Sequence, residues 1–166
     1  MTNSLATEVA SLDAFTQSAL TPQATFGRDA SRRARLVHAD RAPGTHLHTV
    51  VYRFPVTAED ANGQGVMDEA ALARLNDDLS SIAMHWLQDP ADATSVSTTM
   101  TTQMAELPPI GISIDLAITV VGYQGAFLYT TTQVHTVPDG AAEPPRTLGH
   151  LTHSKFAPGR VPHSKL

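Results

Sequence analysis

The clearest pattern in the chain is an amphipathic stripe between residues 67 and 88. Large apolar residues recur there at the three- and four-residue spacing of an α-helix. They are Leu72, Leu75, Leu79, Ile82 and Trp86. Asp68 and Glu69 stand at the start, where the helix dipole favours acids, and Asp89-Pro90 stops the pattern. We therefore predict one long helix with a single buried face.

Alternation with a period of two predicts strands at 45–56, 94–105, 112–121 and 126–137. The third is the cleanest, because every second residue from Ile112 to Val120 is a large aliphatic one. A glycine-containing turn at 122–125 joins it to the fourth strand and predicts a hairpin. The expected fold class is α+β: an antiparallel sheet of about four strands, packed by one long amphipathic helix.

Three stretches lie outside this core. Residues 4–20 have apolar positions at helical spacing and predict an N-terminal helix. Residues 21–44 are polar and rich in arginine, and form either an extended arm or a connector with a short strand around 34–38. Residues 138–166 hold five prolines and few large apolar residues, which predicts an extended tail. The domain organisation expected is one α+β domain over 1–137, including the arm, and a C-terminal tail.

Composition narrows the function classes. There is no cysteine, so disulfides, zinc–thiolate sites and thiol nucleophiles are excluded. No apolar run reaches the ~18 residues that a membrane span needs, and the first ten residues do not resemble a signal peptide. We expect a cytoplasmic protein, or one within an assembled particle, that needs no membrane and no cofactor.

The charges are segregated along the chain. Between residues 59 and 92 there are eight acids and one base, whereas residues 28–41 contain five arginines. Such asymmetry favours contacts between copies, so a homo-oligomer or other assembly is the expected partner. The predicted intersubunit residues are Arg28, Arg32, Arg33, Arg35, Arg41, Asp77 and Asp78. A nucleic-acid partner is not expected, because the net charge is −5 and few aromatic residues accompany the arginines.

These features favour a structural subunit of a homo-oligomeric assembly, with charged arms that grip neighbouring copies, over an enzyme. The order of elements resembles that of small phage tail and head–tail joining proteins. That resemblance implies a passive role as a virion or particle component.

The alternative is a small α+β-barrel enzyme or ligand-binding protein with a pocket between helix 67–88 and the sheet. Its candidate polar groups are His46, His48, Asp115, Tyr129 and His135. The three histidines are also candidate metal ligands, but the interpretation as surface strand histidines is favoured, so no metal is expected. His150 and His153 are expected in the solvated tail.

Overall fold

The computed structural model describes residues 28–41, 48–85, 95–124, 126–138 and 144–157, together with the single helical positions 10 and 14. The predicted N-terminal helix over 4–20 otherwise lies outside these residues, as do Trp86 and His46. Two helices are described, α1 (Arg28–Ser31) and α2 (Glu69–His85), with a 3-10 turn at Ala58–Asp60. The strands are β1 (Arg35–Arg41), β2 (His48–Pro55), β3 (Val96–Met104), β4 (Ser113–Gln124), β5 (Phe127–Thr136) and β6 (Thr147–Phe156).

Within the described residues, these strands form one antiparallel sheet in the order β1-β2-β4-β5-β6-β3. The predicted hairpin of β4 and β5 lies at its centre. The expectation of an α+β fold with an antiparallel sheet and one long helix is confirmed, but the sheet has six strands rather than about four.

The two additional strands come from the predicted arm and the predicted tail. β1 extends the short strand considered around 34–38 and pairs with β2. β6 lies between β5 and β3, so residues 147–156 belong to the domain and not to an extended tail. Its inward positions include His153 and Lys155 as well as Leu151. Polar residues at those positions break the apolar alternation that marks a strand in sequence.

The core lies between α2 and one face of the sheet. Leu72, Leu75 and Leu79 on the helix are 0–1% exposed, and they pack over the inward row of β4 from Ile114 to Val120. Both apolar faces predicted from periodicity therefore cover one another.

Gly149 in β6 is required by the close approach of β3. A Cβ atom at this position would lie 2.6 Å from the carbonyl oxygen of Gln103 and 2.8 Å from the Cα of Met104. These are backbone atoms, so a side chain here would push the two strands apart.

Arg33 ties the segment before β1 to the loop after β2. Its guanidinium binds the carboxylate of Asp60 through two nitrogens, at 2.5 and 2.9 Å, and lies 4.7 Å from the ring centroid of Phe54. Asp60 is only 3% exposed and also accepts the backbone N–H of Thr57. Burial alone would raise the pKa of Asp60, but hydrogen bonds from Arg33 and Thr57 outweigh it and hold that pKa below its ordinary value.

This pair predicts a loss of stability in acid. Because the folded-state pKa of Asp60 is depressed, its contribution is present above the unfolded-state pKa and disappears as pH falls through the folded value. We expect Asp60→Asn to lower the free energy of unfolding by about 2 kcal/mol at pH 7 and to flatten its dependence below pH 4. Urea unfolding over pH 3–7 measures both, with the exposed neighbour Glu59→Gln as control. If the free energy of unfolding of Asp60→Asn depended on pH as steeply as that of the wild type, the role assigned to Asp60 would be wrong.

Candidate active site

A cluster of polar side chains joins α2, β3 and β6 beneath the helix. Asp77 lies on the helix and its side chain is 40% exposed. Ser97, at the start of β3, donates a hydrogen bond of 2.8 Å to Oδ1 of Asp77. His153 on β6 is buried, and its Nε2 lies 3.0 Å from the Ser97 hydroxyl and 3.3 Å from Oδ1 of Asp77. A carboxylate, a hydroxyl and an imidazole thus meet where the helix crosses the edge of the sheet.

The tautomer of His153 follows from its other ring nitrogen. Ser80 is buried one helical turn after Asn76, and its hydroxyl lies 2.5 Å from the Asn76 carbonyl oxygen. A carbonyl cannot donate, so the Ser80 proton points to it and Ser80 accepts from Nδ1–H of His153 at 2.7 Å. The neutral ring therefore presents an unprotonated Nε2 to Ser97 and Asp77.

The cluster has more acceptors than protons. Nε2 of His153 and Oδ1 of Asp77 both face the single hydroxyl proton of Ser97, which can serve only one of them at a time. Burial lowers the pKa of His153 to about 4. The negative charge of Asp77 opposes this shift, and the positive charge of Lys155 adds to it. At neutral pH the site therefore lacks one proton, and a bound water molecule can supply it.

The exposed edge of the sheet runs beside this cluster. In the described part of the chain β3 is the last strand of the sheet, and almost every residue along it is exposed. Two large apolar side chains of this strand are exposed, Val96 at 60% and Met100 at 37%. An edge of this kind offers unpaired backbone groups to another strand.

A groove of about 470 Å³ lies at the opposite end of β3. Its lining includes Val66 and Glu69, before and at the start of α2, and Met104 and Leu107, at and after the end of β3. Asp68 caps the helix there by accepting the backbone N–H of Ala70 at 2.8 Å. Asp77 lies eight positions after Glu69 on the helix, which is about 12 Å at 1.5 Å per residue, so the groove does not reach the cluster within one chain.

The fold matches solved structures over most of its length. A thioesterase superfamily member 2 from zebrafish has a TM-score of 0.70 and 16% identity, covering 90% of this chain and 97% of that one. The protein of the same name from Mus musculus gives 0.69 and 17%, with coverage of 90% and 96%. The protein smu.793 of Streptococcus mutans, bound to acetyl CoA, gives 0.61 and 12%, with coverage of 77% and 90%. This is the hotdog fold.

No protein-family model matches the sequence, and no protein of curated function matches it either. The hotdog likeness nonetheless overturns the predicted role. The interpretation as a structural assembly subunit or virion component is wrong, because the structural neighbours of this fold are thioesterases. The enzyme alternative agrees better with them.

The four polar groups of that alternative that the structure describes do not converge on one pocket. His48 is buried against the helix, where its Nε2–H donates to the Ala83 carbonyl at 3.0 Å. Asp115 forms a two-point ion pair with Arg53, and His135 contacts Thr147. Asp115, Tyr129 and His135 lie on the sheet face that points away from α2. Among the described residues, no three metal-ligating side chains come together.

The predicted intersubunit residues have mixed environments. Arg33 binds Asp60 of its own chain, and Arg35 is exposed on β1. Asp77 belongs to the polar cluster, and its neighbour Asp78 accepts a hydrogen bond from Ser31. Contacts of these residues with other copies stay a prediction. Ser97 and His153 were missed as site residues, and the only sequence signal for His153 is its even spacing from Leu151 and Lys155.

Proposed function

We propose that this protein hydrolyses acyl thioesters of the acyl-CoA class, with Asp77 as the general base. The observation that carries the proposal is the carboxylate of Asp77, half-exposed and held by Ser97 beside the unprotonated Nε2 of a neutral His153. Support for the reaction class comes from the hotdog neighbours, which include thioesterases and a protein bound to acetyl CoA.

The chemistry needs one base and one water molecule. The water molecule hydrogen-bonds to the carboxylate of Asp77 through one proton and is oriented by the Ser97 hydroxyl. A lone pair on the water oxygen then remains to attack the thioester carbon. The new C–O bond forms as the water proton passes to Asp77. The C–S bond then breaks, and the departing thiolate takes the proton back from Asp77. The products are a carboxylic acid and a thiol.

The other half of the site is supplied by a second copy in this proposal. Ser97 and the groove lie at opposite ends of the exposed strand β3. If two copies pair antiparallel through β3 about a two-fold axis near Met100, the start of one strand lies beside the end of the other. Asp77 of one copy then faces the groove and the helix start of its partner.

The helix start is suited to the thioester carbonyl. First-turn amides have no partner inside a helix and carry its positive dipole. Asp68 engages the amides of Ala70 and Ala71, which leaves the N–H of Glu69 for the oxyanion that develops on the substrate. The groove beside it accepts the acyl or thiol portion of the substrate.

Thiol release from a panel of acyl-CoA substrates tests the proposal. We expect the purified protein to liberate free CoA, measured with a thiol reagent, and the active species to have at least twice the chain mass by light scattering. A dimer that releases no thiol from short, long or aromatic acyl-CoA would contradict the proposed hydrolase function. A monomer with full activity would contradict the proposed site shared between two copies.

No helix in the described part of the chain is long and apolar enough to cross a membrane.

A further inference from the structure

Ser80 of α2 is the group that sets the tautomer of the buried His153. The Ser80 hydroxyl lies 2.5 Å from the Asn76 carbonyl oxygen, and two oxygens at that distance repel each other unless a proton lies between them. That proton is the only one the hydroxyl has. Toward Nδ1 of His153, at 2.7 Å, Ser80 can therefore offer only a lone pair, and the ring is left with a bare Nε2 on its other side.

The bare Nε2 of His153 needs a donor, because its side chain is 0% exposed. Among the described residues, the donor that lies within reach of Nε2 is the Ser97 hydroxyl, at 3.0 Å. Asp77 competes for the same proton at 2.8 Å, but its side chain is 40% exposed and can accept from water instead. A buried acceptor without a donor costs more free energy than an exposed one. When water reaches Asp77, we therefore expect the Ser97 proton to turn to His153.

We propose that Ser80 is a positioning residue that fixes the tautomer of His153 and, through it, the direction of the hydrogen bonds that hold the attacking water. The direction is the same at each step, since Ser97 donates to His153 and His153 donates to Ser80. Ser97 then offers an oxygen lone pair to the water molecule instead of a proton. The water donates one proton to Ser97 and the other to Asp77, so its own lone pairs stay free to attack the thioester carbon. This catalytic role rests on the proposed hydrolase function.

The opposite tautomer would occupy the base. With its proton on Nε2, His153 would donate to Oδ1 of Asp77, which lies 3.3 Å away and is the oxygen that Ser97 also reaches. The carboxylate would then hold two donors of the protein and be a weaker base, because hydrogen bonds stabilise its ionised form. Ser80 disfavours this state, since its oxygen has no second proton to give to a bare Nδ1.

The test is the tautomer of His153 in the wild type and in Ser80→Ala, read from the NMR shifts of the ring nitrogens at pH 7. A bare ring nitrogen resonates far from a protonated one, and the His153 signals are identified by their absence in His153→Gln. The wild type should carry the proton on Nδ1. Ser80→Ala leaves a buried Nδ1–H without an acceptor, so we expect its proton to move to Nε2, where Asp77 accepts it.

Ser81→Ala is the matched control for this variant. The Ser81 hydroxyl also donates to a backbone carbonyl one helical turn earlier, that of Asp77, whereas Nδ1 of His153 bonds to Ser80. Both variants therefore lose the same kind of hydroxyl-to-carbonyl bond on α2. We expect Ser81→Ala to keep the tautomer and the activity of the wild type.

Steady-state thiol release gives the second readout. In Ser80→Ala we expect kcat to fall about 10- to 100-fold, the effect of one charge-assisted hydrogen bond on the base, with KM unchanged. A wild type with its proton on Nε2 overturns the proposal, and so does a Ser80→Ala variant whose tautomer or kcat equals that of the wild type. If the wild type hydrolyses no thioester, the hydrolase function is wrong, and the ring spectra alone decide whether Ser80 fixes the tautomer.

Discussion

Replacing Asp77 by asparagine should lower kcat/KM for thioester hydrolysis by about 10²- to 10⁴-fold, the usual contribution of a general base. Asparagine keeps the size of the side chain and its carbonyl oxygen still accepts the Ser97 hydroxyl, so the fold should not change. What is lost is the group that takes the proton from water. The measurement is steady-state thiol release at pH 7, with unfolding curves recorded in parallel.

Asp115→Asn is the matched control for that experiment. Like Asp77, Asp115 is a hydrogen-bonded carboxylate. It lies on β4 and binds Arg53 on the face of the sheet that points away from the candidate site. We expect this variant to keep wild-type activity. If Asp77→Asn retains more than a tenth of the activity, or if Asp115→Asn loses as much, the assignment of the base to Asp77 is incorrect.

Truncating Leu79 to alanine should lower the free energy of unfolding by about 3 kcal/mol, within the range for buried leucines. Leu79 is 0% exposed in the middle of α2, where it packs against the inward row of the sheet. Removing its branched end leaves a cavity between two rigid elements, and neither can move in to fill it. For a domain of this size the midpoint of thermal unfolding should fall by roughly 6–12 °C.

The control for the core variant is Val37→Ala on β1. Val37 is 43% exposed, so its truncation should change the free energy of unfolding by no more than about 0.5 kcal/mol. Urea unfolding of both variants gives the comparison. Equal small effects would mean that α2 is not packed on the sheet as described.

The shared site that we propose would explain two features that are otherwise unrelated. The strand β3 leaves Val96 and Met100 exposed on an edge, and a groove lies at the far end of that same strand. A copy paired through β3 would cover the apolar residues and bring the groove to the partner's Asp77. In that case the predicted association between copies would complete the site, and its role would not be that of a passive scaffold.

Periodicity alone determined the helix and the central hairpin. The stripe of leucines on α2 and the aliphatic row from Ile114 to Val120 are local patterns, and each needs a covering partner. A single apolar face of each kind is enough to predict one helix packed on one sheet. The sequence by itself therefore determined the fold class and the identity of most of the core.

Tertiary structure decided the edges of the sheet and the candidate site. His153 and Lys155 occupy inward positions of β6, where local alternation expects apolar residues, so this segment read as a polar tail. Ser97 and His153 are 56 residues apart, and Asp77 lies 20 residues before Ser97. Their meeting depends on the pairing of β6 with β3 and on the helix crossing above it. No local pattern encodes that pairing, because the hydrogen-bond partners that compensate for burying His153 come from the helix and from β3 and reach it only in the folded chain.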